Sequence, residues 1–455
     1  TEGLITHRIP RNYSNSGNLI RLRRVLPCRH EPGPGLELVY GKRLEKASLN
    51  SVGLVVRLVV VSTLKTYNHC LSNMSPAVFS RSGALGVYLH IPFCSAICDY
   101  CNFNRGLYDE TLKQRYVNAI KDEIEHWDDL RSVDSIFFGG GTPSLLSAND
   151  VSEILEACRS TFNVVSDVET TLEMNPESCT QSGVEGFLAA GITRISLGVQ
   201  SFLGHELNRL GRVHTVDEAK EAVVAIRSAG CNNLSIDLML WLPGQTRADC
   251  LKSVNEMVRC RPDHASLYML EIYPNSPLRD EMARSDWSLA PEEDASSMYC
   301  DALDVVESAG YQQYEISNVA RPGRQSRHNL KYWRYQNWVG FGCGAHSMID
   351  GCRWKNISET AGYIEAIEHR ATVAEGRRKL STDELTGEAI FMGLRLNEGI
   401  DLHLFEEQYG VNLRTRFGPD LGPYMDRGLL IDEEGRWRLS RKGMLLSNEV
   451  MRTFV

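Results

Sequence analysis

No apolar run in the 455-residue chain is long enough to cross a bilayer; the longest, 52–61, is short and interrupted by Arg57. A surplus of positive charge is also missing. Net charge is −9, and no basic face or tail near the C-terminus argues for nucleic acid. The thirteen cysteines are odd in number and scattered along a long chain, so a disulfide framework is not indicated. That usage predicts a reducing compartment, here the cytoplasm. No repeat of solenoid type is present. Hydrophobic content of 42% and charged content of 24% are ordinary for a globular protein, and the length predicts two or more domains.

What the chain does have is one group of close cysteines. Residues 86–106 read GVYLHIPFCSAICDYCNFNRG. The apolar run 87–92 predicts a short buried strand, which puts Cys94, Cys98 and Cys101 on the loop at its carboxyl end. Barrels and open α/β sheets build their sites at that end. Three thiolates suit a soft metal. Structural zinc wants four ligands, commonly as paired C-x2-C knuckles, and no second knuckle is found. A [4Fe–4S] cluster usually takes four cysteines, so three leave one iron open to a non-protein ligand. C-x3-C-x2-C with Tyr100 before the last cysteine resembles the radical S-adenosylmethionine (SAM) superfamily. The resemblance implies that the methionyl part of SAM chelates the open iron.

The chain divides by charge and pattern. Segment 1–73 holds 11 Lys and Arg against 4 Asp and Glu, a surplus of seven that leaves the remainder at −16. It lacks steady periodicity, and Met74 stands twelve residues before the strand, so 1–73 is expected to be a non-native or disordered extension. An Arg-rich organelle presequence is the alternative. From 74 to 290, strand-like stretches at 86–92, 133–141, 167–176, 194–200, 234–243 and 264–274 alternate with helical ones at 109–130, 148–160, 180–190, 201–229 and 246–260. Repeated βα units with right-handed crossovers predict an α/β fold, an incomplete (β/α)6 barrel. A helix near 291–309 opens a barrel-closing region, 291–370, rich in aromatics. A C-terminal α+β winged-helix-like domain is expected over 371–455, with Leu385, Ala389, Met392 and Leu396 on one helix face and a hairpin around 433–435. Its basic residues are offset by Asp426, Asp432, Glu433 and Glu434, which argues against DNA binding.

Polar residues stand at the predicted strand ends. Gly139-Gly140-Gly141-Thr142-Pro143 follows an apolar strand, where glycines let backbone amides approach a ligand. YLHIPFC, FFGGGTP, LEMNPE, SLGVQSF, LGRVHT and IDLMLWLPGQT together resemble the oxygen-independent coproporphyrinogen III oxidase family over residues 86–455. The resemblance implies cluster ligands Cys94, Cys98 and Cys101. It implies SAM contacts at Tyr88, Tyr100, Gly140, Gly141, Thr142, Glu173, Gln200, Arg212 and Asp237. Carboxylates accept from ribose hydroxyls or an ammonium, and an arginine holds a carboxylate.

Two features separate branches of that family. Oxidases carry a further cysteine two positions after the third ligand, where this chain has Phe103. SRHNLKYW, 326–333, resembles the HNxxYW motif of the HemW-like heme chaperone branch. That resemblance implies heme as cargo, an acceptor haemoprotein as partner and a peripheral encounter with a membrane through it. It implies heme contacts at His328, Asn329, Tyr332 and Trp333. Neutral imidazole binds heme iron, and Tyr332, Trp333 and Tyr335 are shaped to stack on a macrocycle. Alternatively His328 and Asn329 cap a loop while the aromatics pack the barrel's open side. His346 is a second candidate ligand. The alternative functions are coproporphyrinogen III decarboxylation and a cluster-bearing scaffold without porphyrin.

Overall fold

The computed structural model describes residues 83–454 except 275 and 286, so segment 1–73 and Met74 lie outside the described residues. Strand β1 (Leu85–Ile91) runs into two short strands that pair with each other, β2 (Phe93–Cys94) and β3 (Gly106–Leu107). The following strands are β4 (Ser132–Gly140), β5 (Asn163–Met174), β6 (Arg194–Gln200), β7 (Leu234–Leu240) and β8 (His264–Met269). β1 and β4 to β8 lie side by side in that order, all parallel. Helices Glu110–Glu125, Ala148–Thr161, Gln181–Ala190, Val216–Ser228 and Arg247–Arg259 connect them. This is the expected run of six βα units.

Helix ends follow local chemistry. Ser147 with Asp150, Thr215 with Glu218 and Thr246 with Asp249 form capping boxes, each hydroxyl and carboxylate satisfying amides of the first turn. The helix expected over 109–130 begins after Asp109, which accepts from the Leu112 amide, and ends at Glu125. β8 stops at Met269, short of the expected 274.

The six strands alternate. Val87, Leu89, Ile136, Phe138, Ile195, Leu197, Ile236 and Leu238 are buried apolar residues. Between them stand Tyr88, His90, Ser135, Glu173, Arg194, Ser196, Ser235 and Asp237. Hydrogen bonds from Ser196 to Asp237 and between Ser235 and His264 show that this second set shares one face. Parallel strands buried on both faces are usually apolar throughout. Here one face lines a polar interior.

Residues 291–370, expected to form a barrel-closing region, add strands at both edges of the sheet. β9 (Gln312–Glu315) and β10 (Asn318–Ala320) form a hairpin antiparallel to β8. β11 (Trp338–Phe341) is a seventh parallel strand, on the other side of β1. β12 (His346–Ile349), β13 (Cys352–Asn356) and β14 (Ala374–Lys379) continue antiparallel from it. The end strands of this twelve-stranded sheet, β14 and β9, do not pair with each other. β14 falls inside the span assigned from sequence to the C-terminal domain, yet it pairs with β13; the C-terminal unit begins near Leu380.

That unit has helices Thr382–Gly393, Leu402–Tyr409 and Leu413–Asp426, with β15 (Ile400–Asp401) between the first two. A hairpin of β16 (Leu430–Glu433) and β17 (Arg436–Leu439) follows, and β15 adds a third strand. The hairpin turns on Glu434 and Gly435, both at positive φ (51° and 75°), a two-residue primed turn matched to strand twist. Helices followed by a hairpin give the expected winged-helix-like order.

Two joints hold the additions to the barrel. In one, Arg395 pairs with Glu315 at 3.0 Å, both fully buried, and lies 4.3 Å from the centre of the Trp333 ring. In the other, the Glu123 carboxylate accepts from Tyr363 Oη (2.7 Å), Gly342 N (2.8 Å) and Asn356 Nδ2 (2.6 Å). Burial pushes the Glu123 carboxyl up to about 7 against the pull of those donors. A folded-state value above the unfolded one means the native state keeps a proton that the unfolded chain releases. Stability from this group is therefore full below about pH 4.5 and lost as pH rises toward 7. Glu123→Gln is expected to flatten the pH dependence of urea unfolding between those limits, removing a slope worth on the order of 2 kcal/mol. An unaltered slope would assign it to other groups.

Candidate functional site

The cysteine loop leaves β2 and returns as β3. Gly106 N donates to Pro92 O (2.7 Å) and Tyr108 N to Cys94 O (2.9 Å), closing its base. Asn104 Nδ2 donates to Cys343 O (3.1 Å) and Ser358 O (2.8 Å), anchoring the loop beside the outer strands. None of Cys94, Cys98 and Cys101 is joined in a disulfide. Burial pushes the Cys94 thiol up to about 11, with the Thr142 hydroxyl opposing the rise. Arg212 Nη1 lies 3.4 Å from Cys98 Sγ.

The donor set fits a cluster better than a single ion. Three thiolates on one short loop are one short of the four ligands of structural zinc, and they leave one iron of a [4Fe–4S] core open. At Cys94 the Thr142 hydroxyl and the Arg105 charge oppose the rise that burial causes.

The glycine loop after β4 passes directly over Cys94. Gly141 N donates to Ile91 O (2.8 Å) and Thr142 N to Phe93 O (2.7 Å). Gly140 N donates to Glu173 Oε2 (3.1 Å). These amides are engaged within the protein and tie the loop to the ends of β1 and β5. The glycines are needed for close approach. A Cβ at Gly141 would stand 2.5 Å from Phe93 O and 3.0 Å from Cys94 Sγ; one at Gly140, where φ is +120°, would meet the His90 ring at 2.7 Å.

Most of the residues expected around SAM form one connected set with this loop. Tyr88 Oη bonds His90 Nδ1 (3.1 Å), and its ring lies beside Gly139. Thr142 Oγ1 accepts from Asn175 Nδ2 (3.1 Å), and Arg212 Nη2 donates to Asn175 Oδ1 (2.9 Å) and Gly198 O (2.8 Å). Tyr100 packs against Leu210, Met239, Leu242 and Leu270. Gln200 ends β6 at a φ of 70° and accepts from Tyr268 Oη; Asp237 accepts from Ser196 Oγ (3.3 Å) on the neighbouring strand.

Two residues central to this arrangement were not singled out from sequence. Asn175 links the loops after β4 and β5 to Arg212. Its signal was the LEMNPE stretch, in which the carboxylate drew the attention. His90 lies under Gly140 and bonds Asn104 O at 2.8 Å. A carbonyl only accepts, so Nε2 carries the proton and Nδ1 accepts from Tyr88. Strand alternation, two residues after Tyr88, was its signal.

The residues expected to contact heme come together on one helix, Arg327–Trp333, capped by Ser326. They face the protein interior. His328 and Trp333 are 1% and 0% exposed, and Asn329 and Tyr332 are each 9% exposed. His328 Nδ1 bonds Ser135 Oγ (3.0 Å) and Nε2 bonds Tyr332 Oη (2.9 Å), so both ring nitrogens are engaged. Burial pushes His328 down to about 3, keeping it neutral. Its ring centre lies 5.3 Å from that of Phe137, inside the barrel. In this conformation the motif plugs the polar interior and offers no open face to a macrocycle. Tyr335 donates to Glu388 (2.6 Å) and is buried; His346 is half-buried and lowered to about 4 by burial.

The description "Radical SAM superfamily" matches residues 88–257, and "HemN C-terminal domain" matches 380–446. The heme chaperone HemW of Bacillus subtilis is 34% identical over 375 residues, 81% of this chain and 98% of that protein. The Escherichia coli K12 heme chaperone HemW is 32% identical, covering 82% and 98%. A bovine protein, radical S-adenosyl methionine domain-containing protein 1, mitochondrial, is 34% identical, covering 83% and 88%. The solved coproporphyrinogen III oxidase HemN of Escherichia coli superposes with a TM-score of 0.72 at 23% identity, covering 82% of this chain and 90% of that one. At that identity the likeness is one of fold.

Two outcomes are expected at these residues. After anaerobic reconstitution with iron and sulfide, the wild type should hold about four irons at this site, and Cys98→Ala should lose them with their visible absorption. Full retention would refute the ligand set. His328→Ala should lower stability by about 1–3 kcal/mol in urea unfolding, because it removes the buried imidazole that bonds the Ser135 and Tyr332 hydroxyls. No change would show that the plug does not need its imidazole.

Proposed function

The chain belongs to the radical SAM superfamily, in the family of the HemW heme chaperones, and from that membership we propose that it binds heme and delivers it to an acceptor haemoprotein. Cys94, Cys98 and Cys101 would hold a [4Fe–4S] cluster whose open iron takes SAM. When bound, the cluster supplies one-electron chemistry to SAM. The chain's own residues bind and orient. Glu173 presents a carboxylate near the end of β5 and Asp237 one midway along β7, suited to an ammonium and to ribose hydroxyls. Arg212 is suited to a carboxylate while its charge screens Cys98. Tyr88, Tyr100, Gly140, Gly141, Thr142 and Gln200 complete the proposed SAM contacts.

Phe103 carries the choice of branch, since it stands where the oxidases place a further cysteine. The proposed heme contacts are His328, Asn329, Tyr332 and Trp333. Their burial sets a condition: iron ligation at His328 requires its bonds to Ser135 or Tyr332 to break first. No helix among the described residues is long and apolar enough to cross a membrane.

The reading is tested by assaying the reconstituted, SAM-loaded protein in parallel for heme binding and for coproporphyrinogen III conversion. Saturable heme binding without multiple-turnover formation of protoporphyrinogen IX is expected. Turnover would make it an oxidase, and absence of heme binding would leave a scaffold. His328→Ala should weaken heme more than metal-free porphyrin, because only iron gains from the imidazole. Equal affinity for heme in the variant would move the ligand elsewhere, with His346 next.

A further inference from the structure

We propose that Arg105 is a positioning residue that holds the cysteine loop in its metal-binding shape and sets the reduction potential of the cluster, an inference that rests on the cluster assignment above. Arg105 lies four residues after Cys101, immediately before β3. Its guanidinium folds back over the loop. Nη2 donates to Cys101 O, and Nη1 donates to Phe103 O at 3.0 Å. The main chain of the third ligand is thus tied by the two donors of the guanidinium. The preceding residue, Asn104, is bonded outward to Cys343 and Ser358, so the loop's exit is fixed while Arg105 turns inward.

The third donor carries the argument further. Nε of Arg105 is buried and has no hydrogen-bond partner among the described residues. A buried N–H without an acceptor is unfavourable, and the acceptor-rich group that belongs in this loop is a metal–sulfur core. A guanidinium also has the sign of charge that a thiolate-bound core attracts. Arg212 contacts Cys98 from the barrel, so two guanidiniums serve three thiolates. Positive charge and N–H donors beside a cluster favour its more negative, reduced form and raise its potential.

The test is an EPR-monitored redox titration of the reconstituted cluster without SAM, with iron content measured on the same samples. Arg105→Gln removes the charge and should move the midpoint to more negative potential while retaining iron. Arg105→Lys keeps the charge and should stay near the wild-type midpoint. A Gln variant with full iron and an unmoved midpoint would overturn the inference, as would equal shifts in both variants. If the Gln variant loses its iron, the Lys variant decides: a wild-type midpoint supports the role and a negative shift refutes it. A wild type that binds no iron would instead sink the cluster assignment.

Discussion

Two main-chain hydrogen bonds, from Gly141 to Ile91 and from Thr142 to Phe93, fix how closely β1 and β4 meet at their carboxyl ends. The rest of the site depends on that approach. It brings the Thr142 hydroxyl to Cys94, and through Asn175 it reaches Arg212 and Cys98. A side chain at Gly141 would run into the Phe93 carbonyl, so the glycine is a steric requirement of the junction. The cysteine loop is therefore not a free metal-binding hairpin. Its near wall is the second strand of the barrel, and its far wall is the Cys343 and Ser358 backbone, reached through Asn104.

Below that junction the barrel interior is polar and closed by its own side chains. Ser135 bonds His328, and Ser235 bonds His264, whose other nitrogen bonds Tyr314 Oη at 2.8 Å. Each such bond contributes about 0.5–1.5 kcal/mol net, but an unpaired partner costs more. Burial lowers both histidines, so they act as neutral hydrogen-bonding groups. The alternating strands are what this interior requires, apolar toward one side and polar toward the other.

The six central strands were legible because each is a short apolar run with a helix pattern behind it, and the cysteine spacing was legible because ligation constrains it. The edge strands were not. β11 pairs with β1 across some 250 residues of sequence, and its four residues carry no periodicity of their own. β14, with arginines and a lysine on an exposed edge, reads as a linker until its partner is known. HNLKYW shows a different limit. Histidine and aromatics serve a ligand face and a core equally well, so residue type did not say that His328 is spoken for on both nitrogens. Asn175 was hidden for the opposite reason: an uncharged amide beside a glutamate looks incidental until three partners converge on it.

Helix Arg327–Trp333 has seven residues, too few to be stable alone. Its two ends are held by different parts of one compact unit. His328 belongs to the barrel, whereas Trp333 shares a core with Leu385, Ile390, Leu421 and Trp437 and lies beneath Arg395. A macrocycle stacked on Trp333 and the C-terminal unit packed on Trp333 would thus be rivals for one indole. Rival occupants obey reciprocity: whatever factor the packed unit takes from the macrocycle's affinity, the macrocycle takes from the packing. Loading and unloading at that face would then be two readings of a single balance, measured as well from domain stability as from the ligand.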